Sequence, residues 1–170
     1  MSYRRIVLLC LLWIALPLQA QSMPDNTQLA VWANEAIVAT FTYNHQNFLS
    51  RQKEIAKYFT AEGWINYSKA LKDANLPETV KTNAYFVSGV ATMPPEIKLV
   101  KEDQWQAIMP VLVLYKNPAY KQKQNLMITL NFTEASAGTG VRGFAIKDLQ
   151  AMAIKPPCQC AKEEKFKAVG

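Results

Sequence analysis

The chain has 170 residues, with 19 Lys and Arg against 13 Asp and Glu. That is one domain's length, so neither a metal nor disulfides are required to complete a core. The basic residues are scattered along the chain (Arg51, Lys53, Lys57, Lys69, Lys72, Lys81, Lys98, Lys101), which excludes a nucleic-acid-binding stripe.

The first segment is an export signal. Arg4 and Arg5 form a basic start, Ile6–Leu18 is apolar apart from Pro17, and Ala20 offers a small residue at the exit. The run is shorter than the roughly 20 apolar residues of a membrane-spanning helix. Cys10 lies only four residues beyond the apolar start at Ile6, too early for a lipidation site. Residues 1–20 are therefore read as a signal peptide, 21–155 as one α+β domain and 156–170 as a mobile tail. Removing Arg4 and Arg5 takes the basic residues from 19 to 17 against 13 acidic ones, a net charge of +4.

Three helical segments follow. Pro24-Asp25-Asn26-Thr27 supplies start signals, with Gln28 three residues after Asp25 as in a capping box. Leu29, Trp32, Ala33, Ala36, Thr40 and Phe41 recur at helical spacing. His45 falls where this helix should end and is expected to cap its last carbonyls. The second segment places Phe48, Gln52, Ile55, Ala56 and Phe59 on one face. Thr60 is expected to N-cap the third, whose inner stripe is Trp64, Tyr67, Ser68 and Leu71. Asn75 and Pro77 end it.

The period then changes to two. Val80, Thr82, Ala84, Phe86, Ser88 and Val90 alternate with Lys81, Asn83 and Tyr85, so one strand with the first set on its buried face is expected. Met93-Pro94-Pro95-Glu96 is a turn, because two prolines fix φ and remove two donors. Ile97 and Leu99 make a short strand, and Lys101–Gln104 turns again. Trp105–Tyr115 is apolar on both sides, which predicts a central strand covered on both faces. Pro110 inside it predicts a bulge or bend. Leu126, Ile128, Leu130 and Phe132 mark a half-buried strand. Ala137–Gly140 is a turn, and Val141–Met152 a last strand. Helices followed by meandering strands indicate an α+β fold, with helices on one face of an antiparallel sheet.

Catalytic chemistry has little to build on. His45 is the lone histidine, and no nucleophile motif accompanies it. The acidic residues stand singly, apart from Glu102-Asp103 in a turn where adjacent side chains diverge. No Gly-rich phosphate loop and no His-Glu-x-x-His is present. Cys158 and Cys160 form a Cys-x-Cys that fits neither a four-ligand zinc site nor the Cys-x-x-Cys of an oxidoreductase, and is read as a disulfide candidate. Asn66-Tyr67-Ser68 and Asn131-Phe132-Thr133 match glycosylation sequons at chance level. Trp32, Trp64 and Trp105 are read as core residues.

Trp32-Ala33, Ala36-Ile37 and then Lys57-Tyr58-Phe59-Thr60-Ala61-Glu62-Gly63-Trp64 and Leu71 resemble the periplasmic domain of the DotI/IcmL family of type IVB secretion systems. The most specific piece is Phe59-Thr60-x-x-Gly63-Trp64. Pro94-Pro95, Trp105–Tyr115 with Pro110, Asn125–Phe132 and Arg142–Ile146 follow in the family's order. The resemblance covers about residues 28–152. It implies a nuclear-transport-factor-like or cystatin-like α+β fold, with helices on a strongly curved antiparallel sheet. It also implies a non-enzymatic scaffold or accessory subunit of a secretion or conjugation system, with no cofactor. The implied partners are secretion-system subunits or other family members, with room for self-association. No nucleic acid is implied, and membranes are reached only through partners. Family members carry a cytoplasmic segment and an uncleaved membrane helix, so a short signal peptide marks a departure toward a soluble paralogue. The Cys158–Cys160 tail is a second departure. The competing reading is a periplasmic small-molecule binding module on the same fold.

If the signal is cleaved at Ala20, intact-mass analysis of protein from the native host gives a chain beginning at Gln21. A full-length, membrane-retained species would show the leader to be an anchor.

Overall fold

The computed structural model describes residues 24–155. The expected signal peptide, its cleavage point and the Cys158–Cys160 pair lie outside the described residues. The elements in chain order are α1 (Asn26–Thr40), β1 (Tyr43–Asn44), α2 (Phe48–Ala56), α3 (Ala61–Asp73), α4 (Leu76–Thr82), β2 (Phe86–Ala91), β3 (Glu96–Lys101), β4 (Gln104–Lys116), β5 (Lys121–Glu134) and β6 (Phe144–Ala153). Four helices pack against a curled antiparallel half-barrel, the expected α+β architecture. The sheet order is β1-β2-β4-β5-β6, with β3 also pairing β4.

The core lies between α1 and the inner sheet face. Leu29, Trp32, Ala33, Ala36, Ile37 and Thr40 of α1 are buried, as the helical spacing anticipated for all but Ile37. Asp25 is the N-cap residue, but its side chain makes no capping bond, so the expected capping box does not form. The inner face of β4 is Trp105, Ala107, Met109, Val111 and Val113, each 5% exposed or less. Leu126, Ile128, Leu130 and Phe132 continue it on β5. The other face of β4 is only half-buried, so the strand is central but not covered on both faces as expected.

Pro110 makes no bulge. The β4–β5 register runs unbroken from Gln104↔Thr133 to Lys116↔Lys121 through Pro110↔Met127. On the other side, β2 pairs β4 from Val111 onward and β3 pairs it up to Ile108. Pro110 therefore sits opposite the gap between two neighbour strands, where no ladder partner needs its missing N–H. Its carbonyl accepts from the Thr92 amide at 3.1 Å. The register shifts fall instead between Leu99 and Lys101 and between Asn131 and Phe132.

Residues 76–82 are a helix, not the start of a strand. Asn75, at φ 52°, ends α3 in the left-handed region and opens α4, with Pro77 in the first turn, where its absent N–H costs nothing. Val80 is buried on this helix. Ala84, also at positive φ (49°), then reverses the phase. In β2 the buried positions are Val87 and Gly89, while Phe86 and Val90 face outward at 49% and 47% exposure.

His45 does not cap α1. It follows β1, and its amide donates to the Tyr85 carbonyl at 3.0 Å, extending the β1–β2 pairing. Its ring meets Phe86 edge-on at 5.3 Å. The last strand begins at Phe144 and not at Val141, because Arg142 and Gly143 both take positive φ.

Trp64 is half-buried, packed on Phe59 and Tyr67 at the margin of the core, whereas Trp105 is 5% exposed within it. Trp105→Ala should cost about 3–5 kcal/mol in urea unfolding, the range for large aromatics removed from cores, and Trp64→Ala clearly less. Equal losses would show that Trp64 is as deeply packed as Trp105.

Candidate functional site

The residues of the Phe59–Trp64 motif form one joint between the helical half of the chain and the last strand. Phe59 leaves α2 and makes a parallel bridge to Ile146. The Ile146 amide donates to the Tyr58 carbonyl at 2.7 Å, and the Thr60 amide donates to the Ile146 carbonyl at 2.9 Å. Thr60 then N-caps α3 as expected, its hydroxyl accepting from the Gly63 amide at 3.0 Å. Gly63 is buried on the first turn of α3, where a Cβ would stand 2.5 Å from the Ile146 carbonyl oxygen and 2.9 Å from that of Lys147. Only glycine lets the helix approach the strand this closely. Phe59, 6% exposed, stacks on Tyr67 at 4.8 Å and meets Trp64 edge-on at 5.8 Å. Trp105 and Pro110 lie elsewhere, on β4. The sequence-selected residues thus divide between a helix–strand joint and the central strand.

The interior is filled by aromatic rings. Trp32 packs on Phe132 at 4.9 Å and Phe144 at 5.6 Å, and Trp105 reaches both of the latter at 5.7 Å. The Trp32 indole N–H donates to the Val141 carbonyl at 2.8 Å, which satisfies its one polar atom.

Above this cluster, three segments meet in a polar clasp. Glu35 of α1 pairs with Arg142 before β6 and accepts from the Tyr58 hydroxyl at 2.8 Å. Loss of hydration and the bond to Glu35 push the Tyr58 phenol up to about 12. Burial likewise pushes the Tyr43 phenol up. Tyr58 and Arg142 stand in segments that carry the family resemblance, but their meeting with Glu35 was not visible in the sequence, because each contact spans distant segments. Gly89 could have been found: a Cβ there would stand 2.8 Å from Cβ of Phe41, and an isolated glycine within a strand signals such an approach.

A polar cleft of about 570 Å³ lies between the start of α3 and the end of the β4–β5 hairpin that carries Gln104 and Asn131. Its polar lining is Thr60, Glu62, Asn66, Gln104, Asn131, Lys147 and Asp148. All of these but Glu62 and Asn66 engage one another or the backbone. The Gln104 side-chain oxygen accepts from Lys147, and Asn131 joins Gln106 to Asp148. Among the described residues, no group of three or more His, Cys, Asp or Glu could hold a metal ion. No described helix is long and apolar enough to cross a membrane.

The family model of the DotI/IcmL type IVb secretion-system inner-membrane complex component matches residues 14–153. The chain belongs to this family. It is similar to an IcmL-like type IV secretion system protein of Legionella pneumophila, with 61% identity over 81% of this chain and 99% of that one, and a TM-score of 0.78. It is also similar to the periplasmic domain of DotI, with 31% identity over 78% of this chain and 98% of that one, and a TM-score of 0.71. The Helicobacter pylori VirB8 homologue CagV shares the fold alone, with 12% identity over 75% and 98% of the two chains and a TM-score of 0.59. No curated protein sequence matches the chain.

The joint makes a direct claim about Gly63. Gly63→Ala places a methyl against two main-chain oxygens that cannot turn aside, so the urea midpoint should fall by the equivalent of about 1–3 kcal/mol, as overpacking does. An unchanged midpoint would show that α3 and β6 are free to separate there.

Proposed function

We propose that the protein is a periplasmic, non-enzymatic subunit of a type IVB secretion or conjugation system, acting by contact with other proteins. Membership of the DotI/IcmL family, together with similarity to the DotI periplasmic domain, supports the secretion role and the compartment. The observation that carries the contact reading is the filled interior. Trp32, Trp105, Phe132 and Phe144 occupy the space between helices and sheet where a binding module on such a fold would hold a ligand. The polar cleft beside α3 is the weaker candidate, since most of its hydrogen-bonding groups are spent on one another or on the backbone. The partners are secretion-system subunits or membrane-anchored members of the same family, and through them the chain reaches the membrane.

In-cell crosslinking followed by mass spectrometry of the captured proteins tests this. Secretion-system subunits should be captured. Their absence, with a small metabolite co-purifying instead, would replace the contact reading with that of a ligand-binding module.

A further inference from the structure

The end of the sheet beside the β4–β5 turn gathers lysines that the fold leaves without counter-charge. Phe86, Lys116 and Lys121 form one row across β2, β4 and β5, on the face turned away from the core. Ser88, Leu114 and Lys123 form the next row. Lys116, Lys121 and Lys123 are all exposed. Like charges directly opposite each other destabilise a strand pair, yet Lys116 faces Lys121, and no described carboxylate forms an ion pair with any of the three. The adjoining segments do not compensate. Residues 43–47, beside β2, include no acidic residue. Helix α4 carries Glu78 but also Lys81.

Apolar surface lies among these charges. Phe86 is 49% exposed and Tyr120 52%. The His45 ring packs edge-on against Phe86 at 5.3 Å. Phe86, Lys116, Asn117 and Pro118 line an open groove of about 420 Å³. The turn that borders it is held firmly. The Asn117 main-chain amide donates to the Tyr120 carbonyl at 2.9 Å. The Asn117 side chain donates to the Asn83 carbonyl at 2.9 Å and accepts from the Ala119 amide at 3.0 Å. A surface fixed in this way loses little freedom when it binds, and lost freedom is a main cost of association.

Several exposed lysines elsewhere have a carboxylate of their own: Lys57 pairs with Glu54, Lys69 with Asp73 and Lys98 with Glu96. The lysines at the hairpin end lack one, and an exposed ring stands in their row. The complement to this surface brings negative charge and an apolar side chain together. Lys121 and Lys123 lie about 7 Å apart along β5, the spacing of alternate side chains in an extended chain. An acidic polypeptide matches that spacing and fills the groove, whereas a lipid surface would answer only the charge.

We infer that the surface formed by Phe86, Lys116, Lys121 and Lys123 docks an acidic segment of a partner protein, with one apolar side chain seated beside Phe86 and carboxylates against the lysines. The inference rests on the contact reading above and adds the chemistry of the partner. Because its test uses defined peptides, its failure would leave crosslinks to secretion subunits through other surfaces untouched.

Nuclear magnetic resonance titration of the isotope-labelled full chain with the peptides Glu-Glu-Leu-Glu-Glu and Glu-Glu-Ser-Glu-Glu tests it, with circular dichroism melts to show that each variant is folded. Amide shifts should centre on residues 86 and 116–123. The leucine peptide should bind with a dissociation constant of about 1 mM, since exposed ion pairs are individually weak. The serine peptide should bind about fivefold more weakly, through loss of a partly buried leucine, and Phe86→Ser should bind the two alike. Lys121→Glu/Lys123→Glu should weaken both by about tenfold or more. Lys53→Glu/Lys72→Glu changes the net charge equally, on α2 and α3, and should leave binding unchanged. The absence of saturable shifts at about 5 mM peptide, well past that constant, would overturn the inference. So would equal weakening by the two charge reversals, which would report net charge alone. If the peptides leave those amides unmoved while vesicles of equimolar phosphatidylglycerol and phosphatidylcholine broaden them, the surface is a lipid contact and the inference fails.

Discussion

Two main-chain hydrogen bonds to Ile146 hold the helical half of the chain to the sheet. The strand residue donates to Tyr58 and accepts from Thr60, so the link between α2 and α3 serves as a short parallel neighbour of β6. Buried backbone groups need partners, and this arrangement supplies them to a stretch of β6 that would otherwise be an open edge. It also fixes where α3 starts. Thr60 stops the chain's strand-like run and caps the helix, and Gly63 lets the first turn settle on the carbonyls of Ile146 and Lys147. The position of α3, and the seating of Phe59 among Trp64 and Tyr67, depend on that contact.

The aromatic cluster depends on it too. Phe144 and Ile146 belong to the strand segment that the joint holds in place, and Phe144 closes the ring set with Trp32, Trp105 and Phe132. The Glu35–Arg142 pair and the Trp32–Val141 bond brace the loop leading into β6 from the side of α1. Closure from both sides leaves a packed interior in which rings occupy the volume that related architectures could give to a ligand. A fold whose inside is full presents its chemistry outside, which is the physical basis of the proposed contact function.

The outside is organised by the same long hairpin. β4 and β5 run the length of the sheet in unbroken register, so residues far apart in sequence are brought into rows. Between Gln104 and Thr133 there are three lysines and no acidic residue, while Asp103 and Glu134 bound the hairpin's other end. Pro110 sits near the middle of the hairpin at no cost to the ladder, because its missing donor falls opposite the gap between β2 and β3.

Much of this was legible in the residues themselves. The apolar spacing of α1, the hydroxyl cap of Thr60 and the alternation of β5 are local patterns, and local patterns survive folding when they match the layer they are placed in. The α+β order, and the family resemblance carried by Phe59, Thr60, Gly63 and Trp64, were likewise readable. The phase of β2 was not. Val80 could continue a strand or end a helix, and Asn75 and Ala84 decided it by taking left-handed backbone that no hydropathy pattern records. Nor could the sequence show that Pro110 would meet a gap between strands, that His45 would extend a ladder and not cap α1, or that Glu35, Tyr58 and Arg142 would meet. Those outcomes depend on which strands become neighbours and how far they overlap. Side-chain periodicity sets the face of each element, but only tertiary pairing sets what lies across from it.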